Sequence, residues 1–267
     1  MDSPVAAARD TPVALSIATS DSGAGAGLQA DLKAFTARGV FGTTVFCCLT
    51  AQNPEGVTAV ETLPLPFIEA QLERIFSWFT VGAIKTGMLF SEPIIAFIAE
   101  ALASRPEISL VIDPVMVATS GAVLLQPEAI ETLKAHLLPR ATLITPNLDE
   151  AGVLLGERPR DRKSMKTAAA ALAERYNTGI LLKGGHLEDA NEIIDILQLP
   201  GREPRIWMHP WLPGVNTHGS GCTLSAAITA ELARGQDLET AVDTGLHYLQ
   251  TALRRPVLLN GEPFIGH

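Results

Sequence analysis

The chain reads as an α/β protein, a three-layer αβα sandwich whose mainly parallel central sheet carries helices on both faces. Two observations predict this. Short apolar runs recur at about 13–18, 43–49, 82–85, 109–112, 141–144 and 179–182, the pattern of strands buried in a parallel sheet. Most are followed by amphipathic or alanine-rich segments of helical length, and right-handed βαβ crossovers then set helices on both sides. At 267 residues with 47% hydrophobic content, the chain can bury a sizeable core in one domain, which we assign to residues 13–267. Residues 1–12 carry Asp2, Arg9 and Asp10 around a short alanine run. They lack the basic start and long apolar centre of a signal peptide and read as a disordered leader.

The first run ends in a glycine-rich stretch from Ser22 to Gly27. A dinucleotide-binding loop is excluded there on spacing, because with Gly23 and Gly25 as the first two glycines the third falls on Leu28. The second run leads into Thr50-Ala51-Gln52-Asn53. The runs at 109–112, 141–144 and 179–182 are followed directly by Asp113, Thr145 and Lys183, which therefore converge on the edge where open α/β sheets bind ligands. Asn147 and Glu150 lie three residues apart at a helix start and share a face; on their own they read as N-cap and reciprocal capping carboxylate. On their own, too, Asp113 ends a strand, Lys183 lays its stem along apolar surface, and Met88 is core. The charged stretch Glu157 to Lys163 reads as a solvated loop between helices. Segments 192–198 and 205–209, parted by Pro200-Gly201, read as a β-hairpin. Two helices, about 219–234 and 237–254, close the chain.

The stretch Asn216-Thr217-His218-Gly219-Ser220-Gly221-Cys222-Thr223 carries the chemistry. Gly219 and Gly221 bracket a serine where an alanine-rich helix begins, so consecutive amides can turn inward to hold an anion at the positive end of the helix. Cys222 lies in the same field. That position predicts a lowered thiol pKa and makes Cys222 a candidate base or nucleophile. The bland alternative is a glycine-capped helix start. GxxxxGK[ST] is absent from the sequence, which excludes a P-loop.

Composition narrows the partners. A net charge of -9 with no basic run argues against nucleic acid and for small-molecule chemistry. Three cysteines, two of them adjacent at Cys47 and Cys48, make no disulfide framework and point to a reducing cytoplasm. No apolar stretch approaches the roughly 20 residues that a membrane helix needs.

Five ordered motifs tie these readings together: Ile17 to Lys33, Thr50 to Asn53, Asp113 to Gly121, Thr145 to Ala151, and Lys183 to His186, all upstream of the Gly219 loop. With that loop they resemble the hydroxymethylpyrimidine/phosphomethylpyrimidine kinases of thiamine biosynthesis, members of the ribokinase-like fold, over nearly the whole chain. The resemblance implies ATP-dependent phosphorylation of 4-amino-5-hydroxymethyl-2-methylpyrimidine and of its monophosphate, with Mg²⁺. It implies an anion hole from Gly219, Ser220, Gly221 and Cys222, with Cys222 nearest the attacking hydroxyl. Asn147, Lys183 and Thr217 match the ATP side, and Glu150 with Asp113 the metal. Gln52, whose amide is both donor and acceptor, matches the pyrimidine edge; Asp21, Thr19, Ala26, Met88 and Val115 line the same pocket. A cytoplasmic homodimer is also implied. Three residues depart from the family pattern: Thr19 and Ala24 stand where glycines are usual, and Thr119 where lysine is. Thr19 and Thr119 keep open a catalytically weak ligand-binding protein on the same scaffold, and a pyridoxal/pyridoxine kinase stays open because that family shares the fold and its ring also carries a hydroxymethyl group. His186, His209 and His218 are read as loop or strand histidines.

Overall fold

The computed structural model describes residues 10–116, 125–185, 187 and 192–267. Thr119, His186 and most of the leader at 1–12 lie outside the described residues. Of the leader, Pro12 already belongs to the body, since its carbonyl accepts a hydrogen bond from the Phe41 amide at 2.8 Å.

The sheet comprises β1 (Val13–Asp21), β2 (Phe41–Asn53), β3 (Gly56–Thr62), β4 (Val81–Thr86), β5 (Ser109–Ile112), β6 (Leu143–Ile144), β7 (Gly179–Lys183), β8 (Glu192–Gln198) and β9 (Arg205–Pro210). Their spatial order is β3-β2-β1-β4-β5-β6-β7-β8-β9. Pairing is parallel from β2 through β7 and antiparallel at both margins, where β3 folds back on β2 and the β8–β9 hairpin extends β7. Each central strand is apolar on both sides because both sides are covered. Leu15, Ile17, Ile84, Ile112, Ile144 and Ile180 enter one core, while Ala83, Val111, Leu143 and Leu181 enter another.

The first core is closed by α2 (Leu65–Trp78), α3 (Glu92–Ala103), α5 (Leu148–Leu155) and α6 (Arg162–Tyr176), with the shorter α4 (Pro127–Thr132) beside them. The opposite face is covered by α1 (Gly27–Ala37), α7 (Ser220–Ala233) and α8 (Leu238–Arg254). Helix α7 is buried at every position from Thr223 to Leu232, which its alanines permit by letting it lie close against the sheet. A Cβ added at Gly82 of β4 would come within 2.9 Å of the Ala233 carbonyl oxygen. No helix among the described residues is long and apolar enough to cross a membrane.

Three features differ from the sequence reading. Strand β3 is new; it is exposed along most of its length, so no apolar pattern marks it. The charged loop is shorter than expected, because Asp161 caps α6 reciprocally with Ser164 and draws Arg162 and Lys163 into the helix. The chain closes on a hairpin, β10 (Val257–Leu259) with β11 (Glu262–Phe264), rather than on α8. That hairpin supports the Gly219 loop, since the Asn216 amide donates to the Pro263 carbonyl at 3.0 Å.

Candidate active site

A cleft of about 310 Å³ runs along the carboxyl edge of the parallel strands, and every site residue chosen from the sequence lines it. Thr19, Asp21, Ala26, Gln52, Met88 and Val115 gather at one end, Asn147, Glu150 and Lys183 further along, and Thr217 to Cys222 form the floor between.

The floor is the start of α7. Gly219 is the N-cap residue with φ of 80°, and no side chain caps the helix. A Cβ there would sit 1.8 Å from the Gly25 carbonyl oxygen, so only glycine fits both the angle and the space. The close approach joins two loops almost two hundred residues apart, the one before α1 and the one before α7. Ala24, in the first of these loops, takes a φ of 57°, a left-handed conformation that glycine holds more easily.

The Asp21 carboxylate organises the first loop. Its oxygens accept from the amides of Gly23 at 2.8 Å, Gly25 at 3.0 Å and Ala26 at 2.8 Å, and His218 Nε2 lies 3.5 Å away. Burial pushes this carboxyl up, but the bonds from His218 and the amides outweigh it and hold it below the usual range. His218 thus stands between Asp21 and Gln52, with its Nε2 also 3.4 Å from Gln52 Nε2. Among the described residues, the Gln52 carboxamide oxygen receives only a long hydrogen bond from Thr50, at 3.2 Å.

Beneath the floor lies a buried ion pair, Lys183 Nζ to Asp113 Oδ1 at 3.0 Å, with Thr145 Oγ1 donating to the same oxygen at 3.2 Å. Desolvation opposes both charges. It is overcome at Asp113 by the ammonium groups of Lys183 and Lys85, and at Lys183 chiefly by the carboxylate of Asp113, so both remain ionised. Asn147 and Glu150 form a complete capping box at α5, each amide donating to the other's side chain at 2.8 Å. Burial raises the Glu150 carboxyl to about 8, which Lys183 opposes only in part.

Cys222 differs from expectation. Burial pushes its thiol up to about 11, with Lys85 opposing and the carboxylates of Asp31 and Asp113 adding to the rise. The positive end of α7 is present, but desolvation dominates, and the predicted lowering does not occur.

Several cleft residues escaped the sequence reading. Lys85 of β4 and Asp31 of α1 form an ion pair at 2.8 Å with both side chains wholly buried, and Ser16 donates to the same carboxylate. A lysine within an apolar strand run is the signal that marks it. Leu224, Leu249, Leu253 and Trp211 give the cleft an apolar slot, and beside them the Gln250 Oε1 is buried with no hydrogen-bond partner among the described residues. Nothing in the helical pattern of α8 singles that glutamine out.

Residues 21–264 match the family model described as phosphomethylpyrimidine kinase. The hydroxymethylpyrimidine/phosphomethylpyrimidine kinase of Haemophilus influenzae is 44% identical over 246 residues, covering 91% of each chain. Among solved structures, a phosphomethylpyrimidine kinase of Clostridium difficile superposes with a TM-score of 0.80 at 39% identity, over 90% of this chain and 98% of the other. A pyridoxal kinase of Bacillus subtilis, solved as its ADP complex, superposes with a TM-score of 0.88 at 34% identity, over 96% and 97% of the chains.

Proposed function

The chain belongs to the phosphomethylpyrimidine kinase family, and from that premise we propose that it transfers the γ-phosphoryl group of ATP to the alcohol of 4-amino-5-hydroxymethyl-2-methylpyrimidine and then to the resulting monophosphate, in thiamine biosynthesis. The observation that carries this reading is the start of α7, which no side chain caps and whose residues Gly219 to Cys222 line the cleft with Gln52, Lys183 and Asp113. Phosphoryl transfer needs positioning and amide or cationic donors around the moving phosphate more than it needs covalent chemistry.

On this reading the pyrimidine lies against Gln52, Met88 and Val115, in the pocket shaped by Asp21, Thr19 and Ala26. Gln52 meets the aminopyrimidine edge with a donor and an acceptor. The amides of Gly219, Ser220, Gly221 and Cys222 receive the transferred phosphate, while Lys183, Asn147 and Thr217 meet the ATP phosphates. The apolar slot takes the nucleotide base, and Gln250 offers it an unpaired acceptor. Cys222 keeps its proton at neutral pH and orients the attacking hydroxyl, whose own proton passes to the phosphate oxygens or water as the new O–P bond forms and the bond to ADP breaks. The residues present fit Mg²⁺: Glu150 and Asp113 are its ligand candidates, directly or through water. No three acidic, cysteine or histidine side chains among the described residues group as a metal site, so phosphate oxygens and water complete the shell.

Residues 13–267 act on this reading as one domain, since a single nine-stranded sheet carries the whole cleft. The free cysteines fit a reducing cytoplasm. We take the assembly to be a homodimer. The open edge of β3, beside exposed Val57 and Leu49, is the surface that supports it.

Coupled ATP turnover measured with the pyrimidine, with its monophosphate and with pyridoxine tests the assignment. Turnover of pyridoxine alone would move the chain to the other acceptor class, whose Bacillus subtilis member shares this fold.

A further inference from the structure

Thr19 lies near the end of β1, only 5% exposed, at the acceptor end of the cleft. Its Oγ1 donates to the main-chain carbonyl of Met88 at 2.8 Å. Two residues earlier on the same strand, the Ile17 carbonyl accepts from the Gly87 amide at 3.1 Å. The segment after β4 is therefore fastened to β1 at two successive points. It then turns sharply: the Ser91 amide donates to the Leu89 carbonyl, and Phe90 takes a φ of 72°, a region that bulky side chains avoid. Leu89, 3% exposed, anchors the turn from the core side.

Met88 and Phe90 both line the acceptor end with Gln52 and Val115. Methionine ordinarily makes an adaptable wall, because its unbranched side chain repacks around whatever is bound. Here the main chain beneath it cannot retreat. The hydroxyl of Thr19 holds the carbonyl, Leu89 holds the core side, and the strained Phe90 leaves the turn few other shapes.

We propose that Thr19 is a specificity-determining residue for the alcohol acceptor. Its hydroxyl fixes the Met88–Phe90 wall and its methyl group occupies the pocket, so the cleft holds a small, flat pyrimidine and turns away rings bearing an additional substituent, such as pyridoxine. The inference rests on the kinase reading above and adds to it the residue that separates two acceptors of one fold.

The test compares wild type with Thr19→Gly, Thr19→Ala and Thr19→Ser, measuring kcat and KM for the pyrimidine and for pyridoxine, KM for ATP, and binding of each alcohol by calorimetry. In Thr19→Gly the ratio of kcat/KM for pyridoxine over that for the pyrimidine rises by about tenfold or more, the scale of a few atoms gained or lost in a pocket. The change falls on KM for the alcohols and spares KM for ATP. Thr19→Ser, which keeps the donor, restores most of the wild-type discrimination. Thr19→Ala carries the same comparison if the glycine variant melts too low to assay. A ratio unchanged in folded Gly or Ala variants overturns the proposal, as does an equal shift of KM for both alcohols and for ATP. Wild type that phosphorylates the pyrimidine while the ratio stays fixed leaves the kinase reading intact and removes Thr19 from it. Wild type that binds neither alcohol removes both.

Discussion

Gln52 is a carboxamide with room for new partners, since its intramolecular contacts are long. Gln52→Leu leaves a buried aminopyrimidine edge unpaired and weakens acceptor binding by about 1–3 kcal/mol, with ATP affinity little changed; calorimetry with each ligand separates the two. Cys222 is where reasoning from position alone failed. A helix start favours a thiolate, yet the depth of the site cannot be seen in a sequence, and depth decides the sign. Cys222→Ala is expected to lower kcat by about 10²-fold, the scale of a misplaced attacking group, with ATP still bound. Between pH 6 and 9, on the order of the working range, wild type and Cys222→Ser share one pH–rate shape. A limb present in wild type and absent from the serine variant overturns this account. Glu150 behaves in the opposite way to an exposed carboxylate. Its folded value of about 8 is raised above the unfolded 4.5, so the folded protein holds a proton that the unfolded chain has released. Its contribution to stability is full below about 4.5 and is lost as pH rises through about 8. Ligand-free protein therefore melts lower as pH climbs through that window, and Glu150→Gln flattens the slope. Because a cation needs the ionised form, apparent Mg²⁺ affinity in the presence of ATP rises over the same range.

The elements with strong internal patterns were legible. The apolar runs that gave β1, β4, β5, β6 and β7 are nearly continuous because both faces of those strands are buried, β2 alternates over much of its length, and the caps at Asn147 and Gly219 are local chemistry. Strand β3 and the β10–β11 hairpin were not legible, for the matching reason: β3 is exposed on nearly every residue, and Val257, Leu258 and Leu259 are all exposed, so neither carries a burial signature. The loops of the site were found by their glycines, but their mutual contact was not, since only the folded chain brings Gly25 to Gly219. That contact sets an expectation for the α7 start. Gly219→Val puts branched bulk where a single Cβ already stands 1.8 Å from a carbonyl oxygen, and at a φ of 80°. The loop must rearrange, and ATP-dependent turnover falls below detection, while far-UV circular dichroism stays near wild type because α7 itself is held by the sheet. Normal turnover in that variant would show that the phosphate is held elsewhere.

Across the molecule, the two sheet margins differ. Among the described residues no strand pairs with the outer edge of β3, which carries apolar side chains, and sedimentation is expected to give about twice the chain mass of 28.3 kDa. Val57→Lys, which charges that edge, shifts the protein toward the single-chain mass if β3 is the interface. The contact between the two loops also bears on the order in which the protein comes into being. On the proposed reading the first acceptor-side residues, Thr19 to Gln52, are made early, whereas the phosphate floor waits for Cys222, about 170 residues after Gln52. At the usual pace of translation, that interval lasts roughly 10 to 30 s. Throughout it, the surface that α7 will cover stands open, and on β1 and α1 it includes Ala14 and Ala34 among its contacts with α7. With Phe35 and Val40 in the same cluster, that surface is an apolar patch on the nascent chain. A chain stalled before its last fifth can fold a sheet yet lacks the floor of its site, so neither nucleotide nor acceptor can rescue it by binding.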